Sequence, residues 1–169
     1  MNSTHEKPAR IRWPQHYDPA EAPVFVRNEL HIDAAPETVW AWLVRAPLWP
    51  QWYANSHHLR IVNGNPSALA PGSRFVWTTF GIRLQSEVKE FVSGERLAWD
   101  AKAFGVDAYH AWLLTPTSDG GCLVLTEETQ HGFIARGGAL LFPKRMFRWH
   151  QTWLESLSER ALGGLPASA

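Results

Sequence analysis

Residues 82–89 alternate cleanly. Ile82, Leu84, Ser86 and Val88 fall on one side, and Arg83, Gln85, Glu87 and Lys89 on the other. Successive side chains of a strand point to opposite faces, so this run predicts an antiparallel strand with one apolar and one wet face. Further strand signals stand in "VFVRNELHI" (24–32), "LRIVNG" (59–64), "PGSRFVWTTF" (71–80), "LAWDAKAF" (97–104), "VDAYHAWLLTP" (106–116) and "CLVLTEETQ" (122–130). Stretches rich in glycine, proline, asparagine and serine separate several of them and supply turn chemistry.

Helical signals flank this series. In "DAAPETVWAWLVR" (33–45), Pro36 suits a first helical turn and Glu37 suits its positive end. Val39, Trp40 and Leu43 then form one helical face, which stops before Pro47. The proline-broken "PLWPQWYANS" (47–56) has room only for a turn or short helix. Near the C-terminus, Met146, His150, Trp153 and Leu157 follow the spacing of a long helix that ends at paired glycines, with Pro143 starting or kinking it. The intervening "GFIARGGALLF" (132–142) reads as a connecting loop or, alternatively, a mobile cavity entrance.

This order predicts an α+β fold. A curved antiparallel sheet of about six or seven strands wraps a long C-terminal helix, with two short helices after the first strand. A cavity is expected between sheet and helix. Residues 1–23 are predicted to be an extended arm pinned by Trp13, 24–162 the folded domain and 163–169 a flexible tail.

Composition narrows the function. Sixteen basic residues balance sixteen acidic ones, which argues against nucleic acid as the main partner. No apolar run approaches the roughly 18–20 residues that span a bilayer, so no stable membrane insertion is expected. The N-terminal segment lacks the apolar core of a signal peptide, and a cytoplasmic monomer or homodimer is the expectation. The single cysteine, Cys122, reads as a small buried apolar residue. Ten tryptophans in 169 residues are unusual. They serve either a core or a pocket for flat apolar ligands.

The stretches "IDAAPETVWAWLVRAPLWPQW", "PGSRFVWTTFGIRLQSEVKEF", "GERLAWD", "HAWLLTPTSDGGCLVLTEE" and the closing helix together resemble the START-like polyketide cyclase superfamily, the helix-grip fold. The resemblance covers about residues 24–162 and carries no catalytic signature. It implies a hydrophobic cavity for a lipid-like, aromatic or polyketide-like molecule, in a superfamily that includes cyclases, aromatases, carriers and sensors.

Alternation assigns side chains to that cavity. Phe75, Trp77, Leu84 and Trp99 are expected to face inward, and Arg74, Arg96 and Asp100 outward. The strand 106–116 is ambiguous because both its faces are partly apolar; the set His110, Trp112 and Leu114 is taken as inward. With Phe75, Trp77, Leu84 and Trp99, the residues Trp112, Thr126, Met146, His150 and Trp153 complete the expected ligand-binding set. Packing of Trp77, Trp99, Trp112 and Trp153 into one another without space would exclude a ligand.

A turn centred on Asp119 places Leu114 opposite Val124, Trp112 opposite Thr126 and His110 opposite Glu128; a one-residue slip would bring Glu127 instead. A paired His110 and Glu128 have two uses. They can simply satisfy each other and specify register. Alternatively, the carboxylate orients the ring and leaves its other nitrogen free to act as acid or base on a ligand, as in a cyclase, aromatase or dehydratase. A third possibility is an interaction module with a vestigial cavity. His57 and His58 are adjacent and read as surface residues. His110, His150 and Glu128 have suitable zinc-ligand types, but their spacing does not demand an ion, so no metal and no cofactor are expected.

Overall fold

The computed structural model describes residues 10–167. The chain runs β1 (Val24–Ile32), α1 (Pro36–Val44), α2 (Trp49–Trp52), β2 (His57–Asn63), β3 (Arg74–Thr79), β4 (Ile82–Val92), β5 (Arg96–Ala103), β6 (Val106–Pro116), β7 (Cys122–His131), α3 (Phe133–Leu141) and α4 (Arg145–Leu162). The seven strands form one antiparallel sheet in the order β1-β7-β6-β5-β4-β3-β2. Six consecutive strands meander, and β1 closes onto β7 across the whole chain. This is the helix-grip α+β fold.

The register matches the turn argument: Leu114 opposes Val124, Trp112 opposes Thr126 and His110 opposes Glu128. Its cause is the buried inner face, because a slip of one residue would turn Trp112 and Leu114 outward or, on β7, bring Glu127 into the core. Phe75, Trp77, Leu84, Val88, Leu97 and Trp99 are buried on that face, as alternation predicts. From the other side α4 contributes Trp153, Leu154 and Leu157, all buried. Trp153 lies at the centre, stacked on Tyr53 at 4.4 Å and edge-on to Trp49 and Trp112 at 5.0 and 5.1 Å. Each such aromatic pair adds about 0.5–1.5 kcal/mol beyond its area burial.

On β4 the outer face is wet as alternation predicts, with Arg83, Gln85 and Lys89 exposed, whereas over β5 and β6 it is covered. Ile11, Trp13 and Tyr17 lie against Ala98, Tyr109 and Ala111, forming a second apolar cluster. Trp13 contacts Phe25 and Tyr109 at ring separations of 6.3 and 5.7 Å. Tyr17 stacks on Tyr109 at 5.1 Å and donates its hydroxyl to Asp107 at 2.7 Å. Arg96, expected outside, is therefore buried and donates to the Arg10 carbonyl at 2.6 Å. Both faces of β6 are apolar because both are covered. The first nine residues of the predicted arm lie outside the described residues. So do the last two of the predicted tail, whose Gly164 carbonyl accepts from Trp42 Nε1 at 2.7 Å.

The segment read as a loop is helix α3. Two glycines weakened the helical signal, since each costs about 1 kcal/mol relative to alanine in a helix. Packing against β1, β6 and β7 outweighs that cost. Gly132 makes the start possible. Its φ is +102°, and a Cβ there would lie 2.3 Å from the Gly105 carbonyl oxygen.

Candidate functional site

Between the sheet, α3 and the first turns of α4 lies a cavity of about 450 Å³. Of the expected ligand-binding residues, Trp77, Leu84, Trp99, Met146, His150 and Trp153 line it. His110 and Glu128 line it too. Three expected residues do not. Phe75 is packed edge-on to Trp49 and Trp99, Trp112 is stacked on His110 at 5.3 Å, and Thr126 sits against the His110 ring. All three point inward, but they fill the core beside the cavity. Period-two patterning selects the face of a strand and says nothing about depth along it. The tryptophans do cluster, with Trp99 and Trp153 centroids 6.2 Å apart, yet the space between that cluster and α3 stays open.

Sequence reasoning missed Tyr53, and it placed the 132–142 segment at the cavity only as the alternative to a loop, without naming Ile134, Ala135 and Gly138, which line it. The phase of "FIARGGAL" carried the latter signal, masked by its glycines.

The polar cluster has a definite arrangement. His110 Nδ1 lies 3.0 Å from Glu128 Oε2, and His150 Nε2 lies 3.1 Å from the same oxygen. Gln130 Nε2 donates to Glu128 Oε1 at 2.5 Å. The remaining nitrogen of His110, expected to be free, is 2.7 Å from Thr126 Oγ1. Within this cluster, His150 Nδ1 is a buried nitrogen with no partner among the described residues. The spare lone pair of the cluster thus belongs to His150, a residue of α4.

One proton assignment satisfies every contact: Glu128 ionised, both imidazoles neutral with protons facing Oε2, and the Thr126 hydroxyl donating to His110 Nε2. Burial alone would raise the Glu128 carboxyl; the two facing imidazoles overcome it and hold the group well below the usual carboxylate range. Burial pushes His110 below the ordinary histidine value, with the Glu128 carboxylate pulling against it. Glu127, the alternative partner, points to the outer face and pairs with Arg27 at 2.7 Å.

Ligand atoms of His110, Glu128 and His150 lie within 4.8 Å of one another, as a metal site would need. The two rings, however, are 17° from parallel with centroids 4.7 Å apart. Their in-plane lone pairs run along nearly parallel planes, a poor match to one tetrahedral ion. The arrangement fits a hydrogen-bonded carboxylate better.

Comparison with known proteins agrees with this architecture. A family model described as polyketide cyclase / dehydrase and lipid transport matches residues 23–169. The hypothetical protein jhp0584 of Helicobacter pylori is 32% identical, with a TM-score of 0.84 over 90% of this chain and 96% of its own. A START superfamily protein of Mycobacterium smegmatis matches at 10% identity and TM-score 0.65, covering 82% of this chain and 97% of its own. The di-domain ARO/CYC protein StfQ of the steffimycin biosynthetic pathway matches at 14% identity and TM-score 0.66, over 83% of this chain and 51% of its own. At these last two identities the likeness concerns the fold. No curated protein matches the sequence.

Proposed function

The chain belongs to the polyketide cyclase / dehydrase and lipid transport family, and from that premise we propose that it binds an apolar, ring-bearing small molecule in the cavity beneath α3. The observation that carries this reading is a cavity of about 450 Å³ with a mostly apolar lining, a polar cluster at His150, Glu128, His110 and Gln130, and Thr79 and Arg145 as its other polar lining residues. Pockets for small molecules generally span about 300–1,000 Å³ and pair an apolar lining with a few placed polar groups. Trp77, Trp99 and Trp153 supply flat walls, and the cluster orients a polar end of the ligand. A cavity of this size counts against a vestigial role. Native mass spectrometry of the purified protein, followed by tryptophan-fluorescence titration with a polycyclic aromatic probe, tests the reading. A retained small molecule or saturable quenching supports it; an empty protein with no saturable quenching overturns it.

A second reading, an enzyme of the cyclase, aromatase or dehydratase type, is favoured by the unpartnered Nδ1 of His150. Here the earlier pair is extended: His150 is the base, Glu128 holds it, and His110 with Thr126 holds Glu128. A proton alpha to a ligand carbonyl passes to His150 Nδ1, and the electron pair moves to the carbonyl oxygen as an enolate. Collapse of the enolate expels a β-hydroxyl, which takes the proton and leaves as water. Formation of the enone from a β-hydroxy ketone probe reads this step directly. Loss of turnover in His150→Ala supports it, and absence of turnover by the parent protein ends it.

A further inference from the structure

The charge of the chain is balanced overall but not locally. Between Glu128 and Glu155 there is no acidic residue, while Arg136, Lys144, Arg145 and Arg148 are all basic and all exposed. The same stretch carries large apolar side chains in the open. Leu140 is 83% exposed and Leu141 72%, and Phe133, Phe142 and Phe147 are also exposed. Phe104, 84% exposed on the β5–β6 turn, joins them through an edge contact with Phe133 at 5.4 Å. Phe133, Arg136 and Leu140 follow i, i+3, i+7 spacing, so one outer face of α3 bears both kinds of group. The inner face of the same helix, through Ile134, Ala135 and Gly138, roofs the cavity.

We propose that this α3 rim docks the protein on an anionic lipid surface, with the cavity roof at the contact. Apolar side chains flanked by cations are the chemistry of a peripheral membrane contact, in which rings and leucines enter the acyl boundary and cations meet lipid phosphates. Lys144, Arg145 and Arg148 line a surface recess with Phe142, Pro143 and Trp149, which offers three cations to one anionic headgroup. Arg145 also lies over the rings of Phe80 and Phe142, at 5.4 and 5.8 Å, where its stem covers apolar surface and its charge stays available. A two-fold contact with a second copy would set this cationic face against itself, so an anionic partner fits better. No helix among the described residues is long and apolar enough to cross a membrane, so the contact is a peripheral one. The inference rests on the ligand-binding reading only for its purpose, delivery of a ligand through α3; docking itself is measured without a cavity ligand.

Cosedimentation of the full chain with vesicles of phosphatidylcholine alone, and of phosphatidylcholine with phosphatidylglycerol, tests it. Binding to the anionic vesicles that weakens with added salt is expected. Each neutralised cation among Arg136, Lys144 and Arg148 should lower partitioning roughly fivefold. The pair Leu140→Asp with Leu141→Asp should abolish binding, while Val62→Asp, on β2 outside this segment, should not. All these positions are exposed, and circular dichroism checks that each variant folds. Absence of binding to anionic vesicles, or binding that survives the double leucine variant, overturns the proposal. So does salt-independent self-association abolished by that variant, which would assign the face to a second copy, or saturable binding of an acidic protein without any vesicle binding. A protein that holds its cavity ligand yet ignores vesicles would sink the docking inference alone.

Discussion

The rings of His110 and His150 stack 4.7 Å apart and share one acceptor, the Oε2 oxygen of Glu128. One histidine comes from a central strand and the other from the C-terminal helix, so the carboxylate ties sheet to helix as well as shaping the cavity. The two are chemically unequal. His110 is engaged at both nitrogens, whereas His150 retains an unpartnered Nδ1.

That inequality separates the two positions experimentally. His150→Gln should weaken ligand binding, or abolish turnover in the enzyme reading, with a stability loss of only about 1 kcal/mol because a polar group remains in place. His110→Ala should cost about 2–4 kcal/mol, since it opens a void beside Trp112 and leaves Glu128 short of a donor. Parallel urea melts and fluorescence titrations on both variants check this. Equal effects at the two positions would contradict the assignment of the spare nitrogen.

Acid should destabilise the fold in two stages. His110 and Glu128 both titrate lower in the folded protein than their ordinary values of 6.5 and 4.5. Within each window the unfolded chain binds the extra proton, so stability falls as pH falls. The first loss begins below about pH 6.5, and the Glu128 contribution, present above about pH 4.5, is lost as pH drops towards its folded value. Glu128→Gln should reduce neutral-pH stability by about 1–3 kcal/mol and flatten the slope below pH 4.5 relative to the parent. Urea midpoints measured against pH give both quantities.

Gly137 and Gly138 lower the intrinsic helix propensity of α3. A Cβ at either position would meet open space, and neither carries a positive φ. Replacing both with alanine should stabilise the protein by about 1–2 kcal/mol in total. If ligand exchange requires α3 to open, the same double variant slows release of a bound probe without changing the lining aromatic walls. Thermal melts and stopped-flow displacement measure the two effects.

The N-terminal arm should contribute measurably to stability. Trp13→Ala uncovers Tyr109 and Phe25 and should cost about 1–3 kcal/mol. Tyr17→Phe removes the hydroxyl donated to Asp107 and should cost about 1.5–3 kcal/mol, reduced where solvent screens the pair. Tyr17→Phe touches no residue that lines the cavity, so its probe affinity should stay within about twofold of the parent, a free-energy change below about 0.5 kcal/mol.

Much of this molecule is written in local patterns. Alternation in 82–89 and its neighbours determined which faces of β3, β4 and β5 point inward, because the pleat forces successive side chains apart. Turn position and a buried face together determined that His110 opposes Glu128, and the 4-3-4 spacing of Met146, His150, Trp153 and Leu157 determined the long helix. Tertiary structure alone decided the rest. Trp99 lines the cavity while Trp112 fills the core, since depth along a strand depends on what the helix brings against it. The outer face of β6 is dry because a distant arm folds over it, and α3 is helical because packing repays its glycines. The spare nitrogen moved from His110 to His150 for the same reason. Hydrogen-bond partners drawn from β6, β7 and α4 meet only when the sheet closes on the helix, and no spacing within one element encodes that meeting.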